Sequence, residues 1–117
     1  MNNLRLYIDD IRWPKQSYEY SKDNIYLKEW SVARSYEDFV DYIQLHGVPA
    51  IVSFDCFLGD DKKDGYDCAM FLIEHCRKQK RQLPRCLVHS MDIKEKLKLV
   101  ELIHSANIEL LNDLIKT

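Results

Sequence analysis

Three carboxylates stand where predicted strands end. Asp9 and Asp10 follow the alternating run Leu4–Ile8, and Asp55 follows the apolar run Ala50–Phe54. In doubly wound parallel sheets, ligands bind outside the carboxyl ends of the strands, where the strand order reverses. If the order is 2-1-3-4, the first and third strands are neighbours there and their carboxylates converge. Because like charges so close together are costly without a proton or a cation, the pattern predicts a metal site of Asp9, Asp10 and Asp55.

Hard oxygen ligands of this kind favour Mg²⁺ or Mn²⁺, which keep waters and recruit phosphate oxygens, so we expect weak metal binding. An Asp-Asp pair alone has a simpler explanation, in which Asp10 caps a turn and Asp9 is solvated. The presence of Asp55 at the end of another strand favours the metal site over this explanation.

Further polar residues fall on the same edge of the predicted sheet. His89 and Ser90 close the fourth strand, where a hydroxyl can donate to a phosphoryl oxygen and a histidine can transfer a proton. Arg12 and Arg34 lie near the ends of the first two strands, where a guanidinium can bind phosphate. Each of these residues alone more often has a structural or solubilising role. Together they predict catalytic residues Asp55, His89 and Asp10, and phosphate-binding residues Arg12, Arg34 and Ser90.

These residues are positioned by strands and helices that alternate along the chain. The predicted strands are Leu4–Ile8, Ile25–Val32, Ala50–Phe54 and Arg85–Ser90. The predicted helices begin at Ser35, follow the polar loop Gly59–Gly65, and include Leu99–Ala106. The segment Ile108–Ile115 fits either a continuation of the last helix or a short edge strand.

The stretch Asp10–Asn24 has no clear apolar periodicity, and we predict a long loop there. Loops of that length in compact domains are often lids or binding loops. It carries Trp13 and Tyr20, whose rings could cover a base or a sugar.

The alternation predicts an α/β fold, a doubly wound parallel sheet in a three-layer sandwich. The third strand is almost continuously apolar, as expected of a central strand covered on both faces. The predicted core consists of Leu6, Ile8, Ile51, Val52, Phe54, Leu72, Ile73, Leu87 and Val88.

Length and composition exclude several classes of protein. A chain of 117 residues with 46% hydrophobic content predicts one domain, residues 1–117, with a self-sufficient core. A net charge of −2 gives no positive field for duplex DNA. The apolar runs are too short to span a membrane, and the N-terminus has no apolar signal segment, so we expect a cytoplasmic location. The four cysteines lack metal or redox spacing.

The ordered motifs resemble a known family. They are Leu-Tyr-Ile-Asp-Asp-Ile-Arg at 6–12, Trp30 with Arg34, Ser-Phe-Asp-x-x-Leu-Gly at 53–59, Asp-Gly-Tyr-Asp-Cys-Ala at 64–69 and Val-His-Ser at 88–90. This series is similar to the cyclic-phosphate-processing receiver family, a branch of the receiver-like fold in bacteria and phages. The resemblance covers about Leu4 to Ile103.

The resemblance implies a flavodoxin-like, receiver-like fold and an acidic pocket formed by Asp9, Asp10 and Asp55. It also implies a metal-dependent phosphodiesterase or phosphohydrolase activity on cyclic phosphates. The expected partner is a phosphate-containing small molecule or an RNA end.

Two departures from the family pattern affect the expected chemistry. Where the family reads Phe-Asp-His-Asp-Leu-Gly, this chain has Cys56 and Phe57 in place of the histidine and the second carboxylate. Where the family follows His-Ser with an Asn-Pro pair, this chain has Met91-Asp92-Ile93. The losses predict weakened catalysis.

Two other functions fit the same residues. In a phosphoacceptor signalling module, Asp55 would be phosphorylated and Ser90 would sense it. That function requires a lysine after a fifth strand, and Lys116 stands too late in the chain to fill the role. The other alternative is a non-catalytic domain that binds a nucleotide or a partner. The sequence leaves the oligomeric state open.

Overall fold

Four parallel strands form one sheet within residues 2–59 and 62–116, the part of the chain that the computed structural model describes. They are β1 (Arg5–Ile8), β2 (Ser31–Ala33), β3 (Ile51–Phe54) and β4 (Arg85–Val88). The order β2-β1-β3-β4 is the 2-1-3-4 arrangement on which the expected convergence of the carboxylates depended. In the register, Ile8 pairs with Ala33 and with Phe54, so the residues that follow β1 and β3 leave the sheet side by side.

The helices are α1 (Pro14–Ser21), α2 (Tyr36–His46), α3 (Gly65–Lys78) and α4 (Ile93–Lys116), with a short 3₁₀ helix at Asn24–Leu27. Ser35 caps α2 by accepting a hydrogen bond from the backbone N–H of Asp38 at 3.1 Å, as its position in the sequence predicted. Asp60 and Asp61, within the predicted loop Gly59–Gly65, lie outside the described residues.

The two faces of the sheet are covered by different kinds of side chain. Helices α2, α3 and α4 cover the first face, where the apolar residues of β1 and β3 form the main core. On the second face, Tyr7 and Ser53 bond to Ser17 of α1 and to Tyr26 of the 3₁₀ helix. The fold is therefore the predicted three-layer α/β sandwich, with an aromatic and polar second face.

Most of the predicted core is buried: Leu6, Ile8, Val52, Phe54, Leu72 and Ile73. Ile51, Leu87 and Val88 are only half-buried. Strand alternation places Ile51 and Leu87 on the second face, and Val88 lies on a strand with one neighbour in the described sheet.

Two sequence predictions were wrong. The segment Ile25–Val32, predicted as one strand, forms a 3₁₀ helix followed by the shorter β2. The apolar and aromatic residues suggested a strand because Tyr26 is buried, but its ring packs on the second face of the sheet from the 3₁₀ helix. The predicted loop Asp10–Asn24 contains α1, which buries only Ser17 and so shows no apolar periodicity.

The structure also resolves the alternative left open at Ile108–Ile115, which continues α4 as a helix of 24 residues. Neither α4 nor any other helix among the described residues is long and apolar enough to cross a membrane.

Candidate functional site

The carboxyl ends of β1, β3 and β4 bring together Asp9, Asp55 and His89. One ligand atom from each of these residues lies within 4.8 Å of the other two. Asp9 and His89 are buried, whereas Asp55 is half-buried and reaches the surface. The sequence placed all three on one edge but did not predict that His89 bonds to Asp9.

Asp9 is held as an anion by three hydrogen bonds. Its Oδ1 accepts from the backbone N–H groups of Ile11 at 3.0 Å and Arg12 at 2.9 Å, and its Oδ2 accepts from His89 Nε2 at 3.1 Å. Burial raises the pKa of Asp9, but these hydrogen bonds outweigh it and lower the pKa to about 2. Because an ionised carboxylate can only accept, His89 carries its proton on Nε2.

His89 belongs to a buried hydrogen-bond chain. Burial lowers its pKa and favours the neutral ring, so Nδ1 accepts from the hydroxyl of Ser53 at 2.7 Å. The Ser53 oxygen in turn accepts from the Tyr26 hydroxyl at 2.7 Å. The ring also stacks on Tyr7 with a centroid distance of 4.2 Å. Both ring nitrogens are therefore engaged within the protein, and His89 positions Asp9.

Asp55 has the opposite electrostatic environment. Burial and the nearby charge of Asp9 raise its pKa to about 6, although the backbone N–H of Cys56 donates to Oδ1 at 2.9 Å. The two carboxylates thus form a site where a second negative charge is unfavourable unless a cation or proton compensates it.

Asp10 lies outside the three-residue cluster but near it. Its charge contributes to the raised pKa of Asp55. Gly59 has a φ of +64°, and a Cβ built there would stand 2.6 Å from Asp10 Oδ2. The glycine therefore provides both the left-handed backbone and the space for the Asp10 carboxylate.

The two predicted phosphate-binding arginines differ in their surroundings. Arg34 Nη1 donates to the backbone oxygens of Asp9 at 3.2 Å and Arg12 at 2.6 Å, and its guanidinium lies 4.3 Å from the ring centroid of Trp13. Arg34 therefore fixes the loop between β1 and α1, and its phosphate contact stays a prediction. Arg12 Nη2 reaches across the edge to the Met91 sulfur at 3.2 Å.

Cys56 and Ser90 lie together beside Asp55. Burial raises the pKa of the Cys56 thiol, with a hydrogen bond to Ser90 acting against it and the charge of Asp55 adding to it. The thiol is therefore protonated at neutral pH. The Ser90 hydroxyl also accepts from the backbone N–H of Asp92 at 3.3 Å.

A cavity of about 290 Å³ opens beside this edge, between α1 and β4. Its polar lining includes Arg12, Ser90 and Lys96, and its less polar lining includes Tyr20, Tyr26 and Leu87. Sequence reasoning missed Lys96, because a lysine in a helical first turn carries no signal of its own.

Comparison with known proteins agrees with this geometry. The sequence matches the family model described as "Cyclic-phosphate processing Receiver domain" over residues 4–107. No curated protein matches. Among solved structures, the bacteriophytochrome response regulator AtBRR is similar with a TM-score of 0.55 and 20% identity, covering 97% of this chain and 93% of that one.

The receiver domain of NtrX from Brucella abortus also matches, with a TM-score of 0.47 and 16% identity over 87% of this chain and 96% of that one. The likeness to the bacteriophytochrome regulator supports the receiver fold alone. The family match covers most of the chain and includes each strand end that forms the acidic edge. The chain belongs to the cyclic-phosphate processing receiver domain family.

Proposed function

We propose that the acidic edge binds Mg²⁺ or Mn²⁺ and, beside it, the phosphate of a small molecule or an RNA end. The convergence of Asp9 and Asp55 at adjacent strand ends carries this proposal. Asp9 is anionic, and burial together with the negative charge of Asp9 raises the pKa of Asp55. A divalent cation would compensate that charge more fully than a proton.

The donor set fits a hard cation. Asp9 and Asp55 offer carboxylate oxygens, and each oxygen that already accepts one hydrogen bond retains a second lone pair. Asp10 offers a third carboxylate nearby. His89 presents a protonated Nε2 to Asp9, so its role in this arrangement is to orient the Asp9 carboxylate, which would bind the metal. The bound ion would supply charge neutralisation at the phosphoryl oxygens.

The anion-binding groups are Arg12, Lys96 and Ser90. Among residues 2–59 and 62–116, the hydrogen-bond acceptor of the Arg12 guanidinium is the thioether sulfur of Met91, which is a weak acceptor. A phosphate oxygen would be a stronger partner, because charge-assisted hydrogen bonds to guanidinium are about twice as strong as neutral ones. Arg12 can therefore exchange Met91 for phosphate at little cost.

The cavity favours a nucleotide over inorganic phosphate. Helix α1 has 8 residues and lies along the cavity for about 12 Å, from Arg12 near its first turn to Tyr20 in its last. Tyr20 is exposed and can stack on a base. The sequence predicted that Tyr20 covers the ligand from a lid loop, and in the structure Tyr20 lies on helix α1 instead. The family description names cyclic phosphates, and within that class we propose a cyclic nucleotide or a cyclic phosphate at an RNA end.

Turnover is slow in this proposal. Ring opening needs one group to activate water and another to protonate the leaving oxygen, each worth roughly 10²–10⁴-fold. Cys56 holds a protonated thiol, Phe57 has no proton to transfer, and His89 has both nitrogens engaged. The chain's remaining residues bind and orient the phosphate but supply only part of the proton transfer.

Titration calorimetry with a 2′,3′-cyclic nucleotide in Mg²⁺ tests this function. We expect wild type to bind, Asp55→Asn to lose the Mg²⁺-dependent part, and Arg12→Ala to weaken binding at least tenfold. Arg81→Ala, which changes an exposed arginine outside the cavity, serves as the control. Equal binding by wild type and both site variants would refute the proposal. Stable labelling of Asp55 by acetyl phosphate would favour the signalling alternative.

A further inference from the structure

Helix α4 carries a second apolar stripe in addition to the one that faces the core. The buried face of α4 consists of Leu99, Ile103, Ala106 and Leu110. A separate set of apolar side chains is between 43% and 74% exposed: Ile93, Leu97, Val100, Ile108, Leu111 and Ile115. A single surface leucine is ordinary, but six aligned on one helix are not explained by the fold.

The exposed stripe follows an eleven-residue spacing. Ile93, His104 and Ile115 are separated by eleven residues, as are Leu97 and Ile108. Eleven residues in three turns give 3.67 residues per turn, close to the period of a straight helix. The stripe therefore stays on one face of α4 from end to end and is not a chance scatter of apolar residues.

The stripe is also symmetric about His104. The six positions of the stripe lie four, seven and eleven residues before it and the same distances after it, while Leu114, 36% exposed, lies outside the stripe towards the buried face. In two antiparallel copies of α4 related by a two-fold axis at His104, Ile93 faces Ile115, Leu97 faces Leu111, and Val100 faces Ile108. A parallel pair or an unrelated partner would not require this symmetry.

We propose that α4 is the interface of an antiparallel homodimer centred on His104. A two-fold interface is self-complementary, because residue i of one chain contacts residue j of the other and the reverse. Pairing two strips about 33 Å long and about 10 Å wide removes on the order of 1,000 Å² from water. That area is at the lower end for specific complexes, so the dissociation constant is expected in the micromolar range.

Sedimentation of the whole chain between about 5 and 500 μM tests the interface. We expect a monomer–dimer equilibrium that Leu97→Glu weakens by more than tenfold, because the new charge would be buried. His104→Leu should strengthen it by extending the apolar seam. Leu45→Glu, at an exposed leucine on α2, should leave it unchanged. Circular dichroism confirms that each variant is folded.

Cysteine cross-linking tests the orientation. In the antiparallel dimer, the His104→Cys variant lies opposite its own copy and forms an intermolecular disulfide under mild oxidation. The Ile93→Cys variant forms one only when combined with Ile115→Cys. Self-cross-linking of the Ile93→Cys variant alone would overturn the antiparallel arrangement.

The proposal fails if the wild-type chain remains monomeric at the highest concentration. It also fails if Leu45→Glu disrupts association as strongly as Leu97→Glu does. Three lysines, Lys94, Lys96 and Lys98, lie in the first turns of α4. Binding to anionic lipid vesicles without self-association would therefore identify a membrane surface as the occupant and would likewise overturn the dimer.

Discussion

Replacing Asp55 by asparagine should stabilise the metal-free protein at neutral pH. The folded chain raises the pKa of Asp55 to about 6, chiefly through burial and then through the charge of Asp9. An ordinary aspartate has a pKa of about 3.9. The side-chain oxygen of asparagine can still accept the hydrogen bond that Cys56 N–H donates to Oδ1 at 2.9 Å. The substitution therefore removes the unfavourable charge and keeps the local geometry.

The expected gain follows from proton linkage. Between about pH 4 and pH 6 the folded chain binds more protons at Asp55 than the unfolded chain does, so this carboxyl lowers the stability as pH rises. The penalty is complete above pH 6 and absent below about pH 4. A difference of about two between the folded and unfolded pKa values corresponds to about 3 kcal/mol. Solvent screening at a half-buried carboxyl reduces the expected effect to about 1–2 kcal/mol.

Urea unfolding from pH 4 to pH 8 in a chelator measures this effect. Asp55→Asn should exceed wild type by about 1–2 kcal/mol at pH 7.5, and the difference should shrink towards zero near pH 4. Asp41→Asn, at an exposed carboxylate on α2, is the control and should show no such trend. Millimolar Mg²⁺ should then stabilise wild type and not Asp55→Asn. A variant less stable than wild type at pH 7.5, or a difference independent of pH, would refute the electrostatic reasoning.

Three further variants test other parts of the site. Lys96→Ala should weaken cyclic-nucleotide binding about fivefold to tenfold in calorimetry without changing the urea midpoint, because Lys96 lines the cavity and its positive charge would attract the phosphate. Gly59→Ala should cost about 1–2 kcal/mol in urea unfolding, because its φ of +64° favours glycine and a Cβ there would meet the Asp10 carboxylate, and Gly47→Ala should cost at least as much, because glycine is almost the only residue that adopts a φ of +81° with a ψ of −173°. Cys56→His combined with Phe57→Asp should raise 2′,3′-cyclic nucleotide hydrolysis by at least tenfold, and fast wild-type turnover unaffected by the change would show that the catalytic groups lie elsewhere.

The parts of the fold with strong apolar periodicity could be predicted from the sequence. Strands β1 and β3 and helices α2 and α3 bury regular apolar sets, and their alternation was enough to predict a parallel sheet, whereas the strand order entered only as a condition. Helix α1 was missed because it packs through the Ser17 hydroxyl, which bonds to Tyr7 at 2.7 Å. A signal was available in Pro14, since proline is favoured at the first position of a helix.

The positions of the site residues could be predicted, but their hydrogen bonds could not. Strand ends and the family resemblance placed Asp9, Asp55 and His89 on one edge. The engagement of His89 depends on Ser53, which sits in the middle of an apolar strand, and on Tyr26, which lies in a segment assigned to the wrong element. Each contact joins residues far apart in sequence, so a local pattern carries no trace of it.

The hydrogen-bond chain also separates the roles of the two clustered carboxylates. The hydrogen bonds from Tyr26 to Ser53 and from Ser53 to His89 fix the His89 ring so that its Nε2 proton points at Asp9. This proton keeps the buried Asp9 carboxylate charged. Asp55 receives one backbone hydrogen bond and is half-buried, so it has more capacity left for a ligand than Asp9 has. The family's missing histidine and carboxylate would follow directly after Asp55. In the proposed function, Cys56 and Phe57 therefore stand on the side of the site that would face a ligand, and the hydrogen-bond chain to Asp9 includes neither of them.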